Sequence, residues 1–220
     1  MAEDVREEIL NGCSFKEAVL IDCNFTGAKL RGASFVKARL PLARFERADL
    51  TEADLTEADF SSAELPGANL NMVVAPLSTF FLANLSEANL TYSNFTNADF
   101  TNANLFFADF LRVNLKGANL TKAILGYTNL SEANLTNAKL AKANLTNAIG
   151  NGKQIKTVQL DYIVNYTVNK LQIGCKNYSF DKWFNFSDSK IASMDSKALE
   201  FWKANKELIF KIVETNPAIK

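Results

Sequence analysis

The residue types that most often carry out chemistry in proteins are scarce in this 220-residue chain. It contains no histidine, which removes the commonest general base and metal ligand and most catalytic triads. Of its three cysteines, only Cys175 is a candidate nucleophilic thiol, and it lacks a histidine to activate it. We therefore expect no enzymatic activity, no catalytic residues, no cofactor and no metal site. An enzyme or independent effector activity in the C-terminal segment is the last-ranked hypothesis.

Two other patterns superficially resemble functional sites. The carboxylates between Glu46 and Glu64 could pair as acid and base, but they follow a regular spacing and most should be solvated. Residues 150–153, with the sequence GNGK, resemble a phosphate-binding turn but lack the Walker spacing. We interpret them as a structural boundary.

A five-residue repeat occupies about two thirds of the chain. Every residue whose number is a multiple of five, from Leu10 to Leu145, is Leu or Phe, except Ala75, and the residue two positions earlier is usually Ala. The repeat reads A-[DN]-[LF]-x-x. A helix would rotate the apolar set by about 140° per repeat, and a flat strand would alternate it between two faces. The chain must therefore turn once per repeat, which predicts a solenoid with Leu and Phe directed at one axis.

This repeat resembles that of the pentapeptide-repeat family. The resemblance covers residues 10–149 and implies an all-β solenoid: a right-handed quadrilateral β-helix with 20 residues per coil and about seven coils. Charges separated by 20 residues favour the same coil length, because Lys37 precedes Glu57 and Arg39 precedes Asp59 by that interval. A 15-residue coil would instead place Lys29 against Arg44.

Three regions follow from the limits of the repeat. Residues 1–9 are predicted to form a short, weakly helical N-terminal cap, residues 10–149 the β-helix, and residues 150–220 a small α+β module. In that module we expect a hairpin from strands near 158–168 and 171–175, helices capped by Ser179 and by Ser187 or Asp188, and a last helix over 196–215. The module loosely resembles one found in bacterial and phage proteins.

The last helix is apolar around more than one face, so part of it must meet another surface. We expect it, or the strands before it, to cover the final coil, and its other side to pack within the module or against a second copy. Members of the resembled family dimerise through C-terminal helices, which supports the same expectation. The candidate cap or dimer surface consists of Trp202, Leu208, Ile209, Ile212 and Val213.

The repeat is least regular at residues 71–82, where Pro76 is expected to weaken the strand pairing because proline cannot donate a ladder hydrogen bond. Outward positions there and in later repeats are unusually apolar. Coverage by the C-terminal segment or chance scatter would explain this, and so would a partner-binding surface. The candidate partner surface comprises Met72, Val74, Leu77, Phe81, Leu82, Tyr92, Phe106, Phe107, Leu111 and Tyr127.

The first-ranked function is a non-catalytic scaffold that presents a rigid rod to a protein partner. The second is a DNA-mimicking modulator of DNA gyrase or another topoisomerase, of the quinolone-resistance type, because some members of the resembled family imitate duplex DNA. Mimicry requires an acidic stripe along the rod. The net charge of zero argues against direct nucleic-acid binding, and the chain has neither a signal-peptide pattern nor a membrane-spanning apolar run. We expect a soluble cytoplasmic protein that does not bind membranes.

Overall fold

The computed structural model describes residues 4–152, 155–160, 162–167, 170–215 and 217–218. Within the first of these ranges, residues 4–149 form a right-handed quadrilateral β-helix. Parallel backbone bridges join residues 20 positions apart, from Asp4 with Asn24 to Asn129 with Ile149. Each coil therefore contains four repeats, and the predicted coil length is confirmed.

The repeat residues build the core as the pattern predicts. Leu85 N donates to Asn104 O at 2.7 Å, and Asn104 N donates to Ala83 O at 2.9 Å, so each coil is bonded to the next in both directions. The Leu and Phe side chains of the inner coils are fully buried. Phe60, Phe80 and Phe100 stack along the axis with ring centroids 5.0 and 5.1 Å apart. The core is a continuous column.

The Asp or Asn of each repeat closes the corner that follows it. Asp99 Oδ1 accepts hydrogen bonds from the backbone N and the Oγ1 of Thr101, at 2.9 and 2.5 Å. This is an Asx turn. The second residue of each turn adopts a positive φ, for example 56° at Asn97 and 61° at Tyr92. The repeat therefore encodes the corner as well as the core.

The expectation that Pro76 weakens strand pairing is wrong. Pro76 occupies the first turn position, where the backbone N–H normally bonds the Asx side chain rather than the ladder, and the residue two before it is Val74. The backbone N–H donor of the turn and its side-chain acceptor are therefore both absent, so neither is left without a partner. The carbonyl of Pro76 still accepts from Glu57 N at 3.0 Å, and Val74 bridges Asp54 and Asn94. The ladder is continuous through residues 71–82.

The expectation of a helical cap at residues 1–9 is also not met in residues 4–9. Asp4 and Ile9 bridge Asn24 and Lys29, so this segment already belongs to the first coil. The side chain of Arg6 bonds Asp4 across the first corner, with Nε to Oδ1 at 2.9 Å. Residues 1–3 lie outside the described part of the chain.

The described residues of the C-terminal module form four short strands followed by three helices. The strands are β1 (Lys156–Gln159), β2 (Ile163–Tyr166), β3 (Leu171–Ile173) and β4 (Lys176–Tyr178), paired antiparallel in that order. The helices are α1 (Phe180–Asn185), α2 (Asp188–Ala192) and α3 (Ala198–Thr215).

The helices agree well with the expectation, since Ser179 and Ser187 cap α1 and α2. The strands agree less well. The predicted long strand is two strands, β1 and β2, and β4 was not anticipated, because runs this short carry little alternation. Val168, in the predicted first strand, lies outside the described residues.

Candidate partner-binding surface

Outward side chains of the β-helix lie in columns that run parallel to its axis. Nine of the ten residues predicted as a partner surface are exposed, and Leu111 is half-buried. Exposure alone does not make them one surface, so their position around the four-sided coil decides what a partner could contact.

The ten residues separate into three groups. Successive turns of one coil place Met72, Leu77 and Leu82 at three successive corners, so these residues, with Val74 and Phe81, run around the rod. We call this group the apolar belt. Met72 and Leu82 lie at diagonal corners of the same coil, so the ten residues do not all face one flat partner.

The second group is Phe106, Phe107 and Tyr127, which we call the aromatic corner. Phe107 and Tyr127 belong to one column, and their rings stack with centroids 4.7 Å apart. Phe106 packs edge-on against both, at 4.7 and 5.5 Å. The three residues remain 37%, 51% and 47% exposed. Three adjoining rings thus form a preorganised apolar ridge in water.

Gly126 makes room for this arrangement. It occupies the turn position directly above Phe106 in the stack, and a Cβ built on it would lie 2.9 Å from Cδ2 of the Phe106 ring. Phe106 can therefore lie flat against the backbone of the next coil. Sequence reasoning identified the three aromatics but not this glycine, although Gly at a position that often carries Thr or Ser in other repeats is a usable signal.

The third group, Tyr92 and Leu111, is partly engaged. Arg112 lies over the Tyr92 ring at 5.7 Å from its centroid and pairs with Glu132 through Nε and Oε2 at 2.8 Å. The bond to Glu132 is the main cause that raises the pKa of the Arg112 guanidinium. Tyr92 is therefore covered on one face by a charged column.

Charged residues on the rod form belts rather than stripes. The carboxylates of Asp49, Asp54, Asp59 and Glu64 lie on the four faces of one coil, and three of them follow a basic residue of the coil before, namely Lys29, Arg39 and Arg44. In none of the bridged columns do carboxylates occupy two successive coils. This arrangement does not reproduce the continuous line of phosphates along a duplex.

The module covers the end of the rod through a row of polar side chains that sequence reasoning missed. Thr157, Asn165, Gln172 and Asn177 are register partners across β1 to β4. Asn165 Nδ2 donates to Leu145 O at 2.7 Å, and Asn177 Nδ2 donates to Ala143 O at 3.1 Å. We call these four residues the amide row. The sequence signal is clearest for Asn165 and Gln172, each of which is a polar residue between two apolar strand residues.

The predicted cap or dimer surface on α3 needs correction. Trp202 and Ile209 are buried in the module's own core, against the opposite face of the sheet and the shorter helices. Leu208 is 47% exposed, while Ile212 and Val213 are half-buried. The final coil is covered by the strands, which was one of the two arrangements expected. Dimerisation remains a prediction and rests on Leu208, Ile212 and Val213.

Cys175 lies exposed in the turn between β3 and β4 and borders a small apolar cavity of about 70 Å³ that Trp183 and Trp202 also line. Cys23 is buried and Cys13 half-buried, both as free thiols. Among the described residues, no group of three or more Cys, Asp or Glu side chains could hold a metal ion. In the same part of the chain, no helix is long and apolar enough to cross a membrane.

Comparison with known proteins matches residues 9–47, 38–71, 83–121 and 114–149 to a family described as pentapeptide repeats, with eight copies. Among similar solved structures is HetL, a pentapeptide repeat protein involved in heterocyst differentiation regulation in Nostoc sp. strain PCC 7120. It is 23% identical, and the match covers 68% of this chain and 90% of HetL with a TM-score of 0.25.

Two further structures are similar. Trypsin-treated QnrB1, a plasmid-mediated fluoroquinolone resistance protein, is 20% identical, with 65% of this chain and 82% of that chain covered and a TM-score of 0.43. A pentapeptide repeat protein from the Arabidopsis thaliana thylakoid lumen is 35% identical, with 56% and 68% covered and a TM-score of 0.28. No curated protein matches the chain.

Proposed function

The chain belongs to the pentapeptide-repeat family, and from that premise we propose that it is a non-catalytic scaffold whose rod binds a protein partner through the aromatic corner. The observation that carries this proposal is the packing of Phe106, Phe107 and Tyr127 into one exposed ridge. Large rigid aromatic side chains dominate binding energy at protein interfaces and lose little conformational entropy when bound.

The position of this ridge supports a protein partner over coverage by the chain itself. The contacts of the module reach Thr146, one coil beyond Gly126, where Gln172 Nε2 donates to Thr146 Oγ1 at 2.9 Å. None of the aromatic-corner residues belongs to either buried core cluster among the described residues. The ridge therefore stays open beside the covered end of the rod.

Gyrase modulation is the weaker alternative. The carboxylates lie in belts, and a protein that replaces duplex DNA needs negative charge repeated along its axis. The apolar belt around Met72 and Leu82 is likewise a weaker surface than the aromatic corner, because its members face different directions.

The test compares partner capture by two triple variants. The first replaces Phe106, Phe107 and Tyr127 with Ser, and the second replaces Asn97, Lys116 and Asn137 with Ser at the diagonally opposite corner. Affinity capture from the native host, quantified by mass spectrometry, should show a protein retained by the wild type and the second variant and lost from the first. Equal capture by all three would contradict the proposal.

A supercoiling assay with purified DNA gyrase distinguishes gyrase modulation from the proposed scaffold function. The proposal expects no change in supercoiling at protein concentrations that saturate the captured partner. Inhibition or protection of gyrase that survives replacement of the aromatic corner would favour the topoisomerase function instead.

A further inference from the structure

We infer that the junction between the rod and the module contains a binding site for a small, multiply charged anion of the phosphate type. The site is a groove of about 440 Å³ bordered by the last coil and the β3–β4 hairpin. The groove is open to solvent on one side, and its volume lies in the range of small-molecule sites.

Three lysines line the groove without a carboxylate among its described lining residues. Lys142 comes from the last coil, Lys170 precedes β3 and Lys176 begins β4. Lys176 also lines the neighbouring apolar cavity, where its charge acts on the carboxylate of Asp195, and Asp195 does not line the groove. Ammonium groups converging from separate elements bind phosphate as point charges.

The wider charge distribution supports an anionic ligand. Eleven of the 24 Lys and Arg residues but only seven of the 24 Asp and Glu residues follow Ile149, so the module has four more positive than negative residues and the rod the reverse. The net charge of zero therefore conceals a basic end. Such asymmetry raises the local concentration of anions at the groove.

A break in an asparagine ladder supplies a further donor. In neighbouring coils the amide of one asparagine donates to the next, as Asn104 Nδ2 does to Asn84 Oδ1 at 3.1 Å. Asn144 follows Ile124 in the same column. The exposed side chain of Asn144 donates no hydrogen bond from Nδ2 to the described residues, whereas its Oδ1 accepts from Thr146 N at 3.0 Å. Its N–H groups face solvent beside the groove, where a ligand can accept from them.

Asn177 contributes a hydrogen-bond acceptor rather than a donor. Its Oδ1 is a buried acceptor with no hydrogen-bond donor among the described residues. A buried acceptor of this kind is normally satisfied by a donor from water or a ligand. A phosphorylated ligand that also carries a hydroxyl or amine group fits this combination of donors and acceptor.

The test uses the full chain and inorganic pyrophosphate as the probe, titrated by calorimetry at low salt. Replacing Lys142, Lys170 or Lys176 with Gln should each weaken binding about fivefold, because one nearby charge is removed. Lys211→Gln on the exposed side of α3 is the matched control and should leave binding unchanged. Lys170→Arg keeps the charge and should retain the affinity.

Asn144→Asp tests the groove without disturbing the fold, because the carboxylate keeps the acceptor of the Asx turn but replaces the donor with a negatively charged oxygen that repels an anion. We expect it to weaken pyrophosphate binding by more than one lysine replacement does, with an unchanged melting temperature.

Four results would overturn the inference. The first three are the absence of binding at millimolar pyrophosphate, equal affinity in the wild type and in a variant with all three lysines replaced by Gln, and equal binding of citrate, which would indicate a general anion surface. Lysine-dependent binding of a 20-base-pair duplex that pyrophosphate does not displace would also overturn the small-ligand class. None of these outcomes depends on the partner proposed for the aromatic corner.

Discussion

Gln172 takes the place of an eighth coil beneath Leu145. Inside the rod, Leu125 N donates to the backbone carbonyl of Asn144 at 2.8 Å, whereas Leu145 N donates to the side-chain Oε1 of Gln172 at 2.9 Å. Both Gln172 and its neighbour Asn165 are buried. The amide row thus satisfies the last coil's backbone with side chains, and a solenoid end needs such a cap.

Replacing Gln172 with Leu should destabilise the protein by about 1–3 kcal/mol, because Leu145 N–H loses its acceptor where water does not reach it. Urea unfolding followed by circular dichroism measures the change. Asn185→Leu alters an exposed amide on α1 and should change the free energy of unfolding by less than about 0.5 kcal/mol. Equal unfolding midpoints would show that the amide row does not stabilise the rod end.

The inward direction of the Leu and Phe residues predicts a large difference between Leu120→Asp and Lys122→Asp. Leu120 is fully buried, so the first change removes roughly 1.5–3 kcal/mol of apolar burial and adds the cost of an unpaired buried charge. Lys122 is an exposed turn residue in which Asp tolerates the positive φ. Melting temperatures that fall by the same amount in both variants would contradict the assignment.

Lys37 and Glu57 test the 20-residue coil in solution. Their Nζ and Oε2 atoms are 3.8 Å apart and both side chains are about half exposed. Such pairs contribute only about 0.2–1 kcal/mol. Lys37→Glu should destabilise at low salt, and adding Glu57→Lys should restore most of the loss, with both effects vanishing at high salt. A double-mutant cycle without coupling at low salt would show that this pair does not stabilise the fold.

The Tyr162–Asp195 hydrogen bond predicts a pH dependence in the module. That bond, followed by one from Lys197 N, lowers the pKa of Asp195 from its usual value of 3.8. A carboxyl whose folded pKa is lowered stabilises the fold above its unfolded pKa and loses that contribution as the pH falls through the folded value. Tyr162→Phe should therefore be less stable than wild type at pH 6, with the difference shrinking below about pH 4. A difference that is the same at pH 6 and pH 2 would exclude the ionised hydrogen bond as its cause.

The dimer predicted from the resemblance depends on what α3 leaves exposed. Leu208 is the large apolar side chain of that helix with the greatest exposure, beside half-buried Ile212 and Val213. We expect sedimentation equilibrium to give a dimer for the wild type and a monomer for Leu208→Lys, while Lys211→Glu stays dimeric. A monomeric wild type would end this hypothesis.

The rod could be predicted almost completely because its information is local. One five-residue phrase specifies the buried Leu or Phe, the small residue beside it and the Asx acceptor of the corner. The effect of Pro76 was misjudged because the turn geometry that makes its missing N–H harmless becomes visible only when Val74 and Pro76 are considered together. Two further prolines, Pro41 and Pro66, follow Arg39 and Glu64 at the same spacing.

The surface and the module were less predictable because they depend on contacts between distant residues. Apolar outward positions were identified correctly, but grouping them requires the corner that each one occupies. Likewise, the apolar residues of α3 identify a helix that needs covering, and only the packing of Trp202 and Ile209 against the sheet shows which side is covered. The sequence does not indicate that the polar residues of the strands, which form the amide row, contact the end of the rod.

Because the coil has four sides, insertions of different lengths have different effects on the position of the module relative to the aromatic corner. Inserting 20 residues between Tyr127 and Leu145 would move the module about 4.8 Å along the axis and return it to the same angular position relative to the aromatic corner. Inserting five residues would instead turn the module by a quarter of a revolution. The groove lined by Lys142, Lys170 and Lys176 would then lie on a different side of the rod. The number of repeats between the aromatic corner and the groove therefore determines whether one ligand can contact both.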